Sequence, residues 1–358
     1  MGKRDEDDTS AWSDLQVVTF KPKDLGPEDV ELAITHCGVC GSDIHVLKQH
    51  WGNTGDKPVI VGHEIVGKVT HVGERVKSVR PGDRVGIGGG LDSCRECRAC
   101  AAGYENYCPR LVITPNAAHY DGVSTQGGFA TGARAHESFV FPIPDGVESR
   151  HAASMMCGGL TVFSPLRLYA CGPGRKVGVL GIGGVGHYAI LFAKAMGAEV
   201  YAFTRGTAKA ADAREMGADH VVDTTAEGWW EPYNLTLDII ISTIDRLAPG
   251  MTLPDILGML FVHGKFVAVG LPPLDEPLPP VHPFMLGKNG SSLSGTLVGS
   301  KSDAQTMLQL AADKHVVPWI EELPMSQAKV ALEDLCAVLG DASSGLRSRP
   351  MLYDNITD

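Results

Sequence analysis

The sequence has no excess of basic residues: 31 Lys and Arg stand against 42 Asp and Glu, a formal net charge of −11. Surfaces that bind nucleic acid or acidic membranes recruit an excess of Lys and Arg. The balance here excludes both as expected partners and favours a small-molecule ligand. No apolar run approaches the roughly 18 residues needed to span a bilayer. The start, MGKRDEDDTSAWSDL, has neither the apolar h-region of a signal peptide nor the Arg-rich, acid-poor character of a transit peptide. There is no internal repeat, and the one strongly biased segment, the charged N-terminus, reads as a disordered tail. Together these absences predict a cytoplasmic protein. Cysteine is sparse outside one cluster, and in a reducing compartment clustered cysteines bind metal more often than they form disulfides.

What is present starts with size. A chain of 358 residues, 44% hydrophobic, can bury more than one core, and two domains are expected. Up to about residue 155 the chain reads as short strands broken by Gly and Pro, such as VELAITHCGVC, EIVGKVTHVG and GDRVGIGGG, with few helices. From about 160, strands alternate with helix-length segments: KVGVLG, HYAILFAKAMG, EVYAFT, TAKAADAREMG, HVVDTT, LDIIIST and KFVAVG. That alternation implies a parallel sheet covered on both faces. GLPPLDEPLPPVHPF, 270–284, is too Pro-rich for regular structure. After it come a strand, SSLSGTLV, two helices capped by Ser300 and Ser326, and a closing strand near RPMLY.

CRECRACAAGYENYC, residues 94–108, spaces Cys94, Cys97, Cys100 and Cys108 as C-x2-C-x2-C-x7-C. Four thiolates at about 2.3 Å complete a tetrahedral Zn2+ shell, which leaves no position for substrate, so an ion there braces rather than reacts. Exposed thiols at this density would oxidise if unligated. An iron–sulfur cluster uses the same four thiolates and is the alternative occupant. A second group is dispersed over CGVCGSDIH (37–45), GHE (62–64) and MMCGG (155–159). Taken singly, Cys40, His63 and Cys157 are a buried thiol, a core imidazole and another thiol. Together, beside the four-cysteine loop, they offer zinc two thiolates and one imidazole, with the fourth position open for chemistry.

After the apolar strand KVGVLG, Gly181, Gly183 and Gly186 fall at the G-x-G-x-x-G spacing, with Gly184 and Val185 inside it and a helix to follow. Such a turn brings backbone close to a pyrophosphate at a helix N-terminus. Strand–turn–helix context is what makes the pattern specific. The next strand, EVYAFT, ends in Thr204 and Arg205, with Lys209 one helical turn on. No acid stands there to bind the ribose hydroxyls of NAD, so NADP(H) is expected, its 2′-phosphate beside Thr204, Arg205 and Lys209.

The motifs HCGVCGSDIH, VIVGHEIVGKV, VKSVRPGDRV, the four-cysteine loop, QGGFA, CGGLTVFSPL and GIGGVGH together closely resemble the zinc-containing medium-chain alcohol dehydrogenases, in particular the NADP-dependent cinnamyl alcohol dehydrogenase-like branch. The resemblance covers nearly the whole chain from about residue 12. It implies an α/β fold: a GroES-like β-rich catalytic domain over 1–157, a Rossmann doubly wound parallel-sheet nucleotide-binding domain over 158–297, and a C-terminal return, 298–358, to the catalytic domain. It also implies two zinc ions. Cys40, His63 and Cys157 would hold the catalytic one, with Glu64 beside it and Asp43 orienting His63 from its far nitrogen; a simple turn residue in C-G-S-D is the competing account of Asp43. Ser42 and His45 match the family's proton relay, in which imidazole passes the proton to solvent. Thr161, Arg349 and backbone from Val269 through Gly270 to Leu271 would approach the cofactor.

The implied reaction is reversible hydride transfer between NADPH and an apolar or aromatic aldehyde, with Trp51, Met155, Thr296 and Leu297 as pocket residues by analogy. Alternatives are an NAD-linked polyol dehydrogenase, a biosynthetic reductase of C=N or C=C bonds, and a non-catalytic dinucleotide-binding protein. Relatives pair as homodimers through the strand near 291–298. They also carry a first strand before the segment matching WSDLQ, where this chain has the polar MGKRDEDDTSA.

Overall fold

The computed structural model describes residues 12–52, 58–340 and 351–354. The expected N-terminal tail therefore lies mostly outside the described residues. Alternation along DVELAITHCGV buries Val30, Leu32 and Ile34, as period-two patterning requires of a strand with one face on a core. This strand, Asp29–Val39, is the hub of a seven-stranded, mostly antiparallel sheet. The order is Glu321–Pro324, Met351–Asp354, Asp29–Val39, Glu64–Val72, Arg84–Ile87, Phe141–Pro142, with Gly132–His136 also on the hub. The last described strand therefore pairs with the first strand of this sheet, Cys37 opposite Tyr353. Residues 14–26 carry no regular structure; the stretch before WSDLQ, where the relatives' first strand would lie, falls outside the described residues.

The expected parallel sheet is present, with six strands: His220–Asp223, Glu199–Thr204, Lys176–Leu180, Leu237–Ser242, Leu260–Ala268 and Ser292–Gly295, in that spatial order and all parallel. Numbered along the chain, the order is 3-2-1-4-5-6, the doubly wound arrangement that opens a crevice between its first and fourth strands. A core around Phe163, Tyr188 and Phe192, all fully buried, joins helix Gly184–Ala195 to helix Leu160–Leu168.

Helix Lys301–Lys314 begins at Ser300 as expected. Ser300 Oγ accepts from Asp303 N, and Asp303 Oδ2 accepts from Ser300 N, at 3.2 and 3.1 Å, a reciprocal cap. Its buried residues Ala304, Met307, Leu308 and Ala311 follow helical spacing. Ser326 is a correction: it lies inside the short 3-10 turn Met325–Gln327, and helix Ala328–Gly340 starts after it. The Pro-rich segment stays irregular until the short helix Pro283–Gly287.

Candidate active site

A seven-residue helix that strand patterning did not reveal, Gly41–Leu47, carries Ser42, Asp43 and His45. Asp43 is fully buried and is more than a turn residue. Its Oδ2 accepts from Cys40 N at 3.0 Å; its Oδ1 accepts from Gly62 N at 2.8 Å and meets His63 Nδ1 at 3.0 Å. One carboxylate thus binds two separate segments together and fixes His63 with hydrogen on Nδ1 and a lone pair on Nε2. That Nε2 is buried without a hydrogen-bond partner, as is Glu64 Oε2.

The ligand atoms of Cys40, His63, Glu64 and Cys157 all lie within 4.8 Å of one another. Cys157 arrives from a turn of π-helix, Met155–Gly159, between two α-helices, a distortion found often at functional sites. Gly38 makes room for Glu64, since a Cβ there would lie 1.9 Å from Glu64 Oε2. A hydrogen bond shared with Cys157 holds the Cys40 thiol well below its ordinary pKa and raises that of Cys157. Burial raises the Glu64 carboxyl. Two buried orphan acceptors facing two thiols form a donor set that fits a borderline-soft dication such as zinc.

The four-cysteine lobe also fits an ion. Its sulfur contacts include 3.5 Å for Cys97–Cys100 and Cys94–Cys108, and 4.0 Å for Cys94–Cys100 and Cys97–Cys108. A regular tetrahedron with metal–sulfur bonds of about 2.3 Å has edges of about 3.8 Å, between those values. Hydrogen bonding by the Glu96 backbone lowers the Cys94 thiol to about 6, whereas burial raises Cys100 to about 11. The lobe is framed by strands Gly90–Asp92 and Val112–Ile113, and Arg95 pairs with Asp92 at 2.5 Å.

The dispersed set opens on a cavity of 420 Å³. Ser42, His45, Trp51, His63, Glu64, Cys157 and Thr161 line it, and so do Gly183, Gly184 and Val185, Val269, Gly270 and Leu271, and Thr296 and Leu297. Leu111, Ile113, Phe139, Phe141 and Val298 supply its apolar wall. Met155 is a correction: it is fully buried in the core behind the cavity and does not line it. Arg349 lies outside the described residues. A separate cavity of 440 Å³ beside residues 18–23 holds neither cysteine cluster.

At the glycine turn, Gly181 has φ +90° and Gly186 cannot carry a side chain, whose Cβ would lie 2.0 Å from Gly181 O. Gly183 faces open space with nothing within 4 Å. Bare backbone at the N-terminus of a twelve-residue helix fits a pyrophosphate. Thr204, Arg205 and Lys209 sit beyond the cavity. Thr204 is buried, Arg205 is exposed, and Lys209 Nζ reaches back to Ile182 O at 2.9 Å. Burial lowers the Lys209 pKa. The next strand ends in Asp223, opposite Thr204, an acid that inspection of the second strand alone misses. Its Oδ1 accepts from Gly206 N at 2.8 Å, and from Thr225 N and Oγ1. Those bonds order the loop after Arg205.

His50 was also missed. Gln49 adopts φ +59°, and the helix ends with His50 N donating to His45 O at 2.9 Å and Gln49 N to Val46 O at 3.0 Å, a Schellman closure. The closure folds His50 back so that its Nδ1 meets His45 Nδ1 at 3.0 Å. His45 stacks on Trp51, with centroids 4.4 Å apart and planes at 6°. Burial, and then the charge of His50, lowers the His45 pKa.

Comparison with known proteins accords with this geometry. The alcohol dehydrogenase GroES-like domain matches residues 26–145, and the zinc-binding dehydrogenase domain matches 184–313. The NADP-dependent alcohol dehydrogenase 6 of Saccharomyces cerevisiae is 40% identical over 89% of this chain and 88% of its own. A cinnamyl alcohol dehydrogenase structure from Sorghum bicolor superposes with TM-score 0.86 at 35% identity, covering 96% of this chain and 94% of that one. CAD from Helicobacter pylori complexed with NADP(H) gives 0.81 at 31%, covering 92% and 91%. The chain belongs to the zinc-binding alcohol dehydrogenase family. Among the described residues no helix is long and apolar enough to cross a membrane.

Proposed function

We propose that this protein is a zinc-dependent, NADP(H)-linked alcohol dehydrogenase that interconverts an apolar or aromatic aldehyde and its alcohol. The observation that carries the reading is the buried donor set, with orphan His63 Nε2, opening on an apolar-walled cavity that continues to the glycine turn. Cys40, His63 and Cys157 would hold the catalytic zinc, with Glu64 as a further carboxylate beside it. When bound, zinc would polarise the substrate oxygen and NADPH would supply the hydride. Asp43, on His63 Nδ1, would leave the Nε2 lone pair free for the metal. Ser42 and His45 move the proton to the nascent alcohol, and the 3.0 Å contact between His45 Nδ1 and His50 Nδ1 supports His50 as the link to solvent. Cys94, Cys97, Cys100 and Cys108 would hold a second, bracing zinc.

Thr204, Arg205 and Lys209 are assigned to the 2′-phosphate, and Gly181 to Gly186, Thr161 and residues 269–271 to the rest of the cofactor. Trp51, Thr296 and Leu297 are assigned to the substrate. The domains divide at 157/158 and 297/298. The protein is assigned to the cytoplasm as a homodimer joined at the edge strand Ser292–Gly295.

Aromatic, aliphatic and sugar aldehydes assayed with NADPH and with NADH test the reading. Aromatic aldehydes with NADPH are expected to give the highest kcat/KM. An NADH efficiency equal to or above that of NADPH, or a preference for sugars, would replace it. Ser42→Ala is expected to cost much of the turnover at intact zinc content.

A further inference from the structure

The four-cysteine lobe touches the rest of the protein at a point where the backbone is strained. Between its third and fourth cysteines lies the 3-10 turn Glu105–Tyr107. Asn106, 6% exposed, donates from Nδ2 to Leu297 O at 2.8 Å. Tyr107 Oη accepts from Leu297 N at 3.3 Å. Both backbone groups of Leu297 are therefore taken by two successive lobe residues. Glu105 Oε1 accepts from Lys301 N at 2.5 Å, at the first turn of helix Lys301–Lys314, where a carboxylate is favoured by the helix dipole. Between these anchors Val298 has φ +53°. A β-branched residue in the left-handed region is an outlier whose cost the surroundings must offset. Val298 also lines the 420 Å³ cavity.

We propose that Glu105, Asn106 and Tyr107 are positioning residues for the substrate wall, the lobe holding Val298 in its left-handed conformation and so setting the shape of the aldehyde site. The lobe then governs substrate recognition as well as stability. This inference rests on the functional reading above, because it takes the cavity at 296–298 as the aldehyde site.

Its test uses the full-length, zinc-loaded protein. Asn106→Ala should speed hydrogen exchange in the 293–301 segment by roughly fivefold, the loss of about one hydrogen bond. It should also raise KM for cinnamaldehyde by a similar factor, roughly fivefold, the loss falling on KM rather than kcat. Tyr107→Phe, which removes only one hydroxyl, should do the same to a smaller extent and serves if the alanine variant misfolds. Val298→Gly relieves the strain, because glycine tolerates positive φ; in that background Asn106→Ala should change KM by less than about twofold, a coupling that independent sites would not show. Unaltered exchange in both lobe variants, or equal KM losses in the Val298 and Gly backgrounds, would overturn the proposal. Faster exchange in a protein that reduces no aldehyde keeps the clamp and removes the functional reading.

Discussion

The two cysteine clusters differ in almost every respect that matters for reading a metal site. The lobe gathers its four thiols within fifteen consecutive residues, 94–108, and leaves three of them half-exposed. The second cluster draws Cys40, His63, Glu64 and Cys157 from three distant segments and buries all but Cys40. Local spacing can close a shell, because a short loop wraps one ion completely. An open position beside a cofactor needs ligands from several elements, which only tertiary structure assembles. On the proposed function, the conspicuous motif is the less reactive one.

Substitutions can separate the two clusters, and the largest effect belongs to the dispersed one. His63→Ala should lower aldehyde reduction by about a thousandfold or more, the scale of Lewis-acid stabilisation, with the far-ultraviolet dichroism unaltered; substantial remaining turnover would detach the chemistry from this set. Cys97→Ser should instead act on folding, lowering stability by on the order of 3 kcal/mol as the brace is lost. Denaturant titration reads this, and an unaltered midpoint would make the lobe dispensable. Asp43→Asn keeps the packing but weakens the hold on His63, so zinc affinity at the dispersed set should fall about 10–100-fold in a competitive chelator titration, with the lobe's ion unaffected.

His50→Ala gives the smallest effect, roughly tenfold or less in turnover, below the full worth of a general acid. Burial, the main cause of the lowered His45 pKa, persists in that variant, but the repelling neighbour is gone. The His45 pKa should therefore move upward, part of the way to the ordinary histidine value, in an NMR titration. No movement, or movement downward, would dissolve the pair.

The sequence carried both clusters, the glycine turn and the strand–helix alternation because each is written in local spacing or period. Asp43 was legible as a partner of His63 only through family resemblance; its bonds to Cys40 N and Gly62 N depend on where strand Glu64–Val72 meets strand Asp29–Val39. His50 was hidden because a left-handed Gln49, not any motif, folds it onto His45. Met155 was misassigned because helical phase decides it: two residues before Cys157, it points away from the cavity into the core. Asp223 and Asn106 were invisible since one acts from a neighbouring strand and the other across 191 residues.

The most direct test of the division of labour is to measure bound zinc and NADPH-dependent aldehyde turnover together in Cys97→Ser and in the native protein. The prediction is two equivalents of zinc in the native protein, and in the variant one equivalent with turnover of a small aldehyde retained within about tenfold. A folded variant that keeps one equivalent yet loses all turnover would contradict the account and move the chemistry back to the lobe.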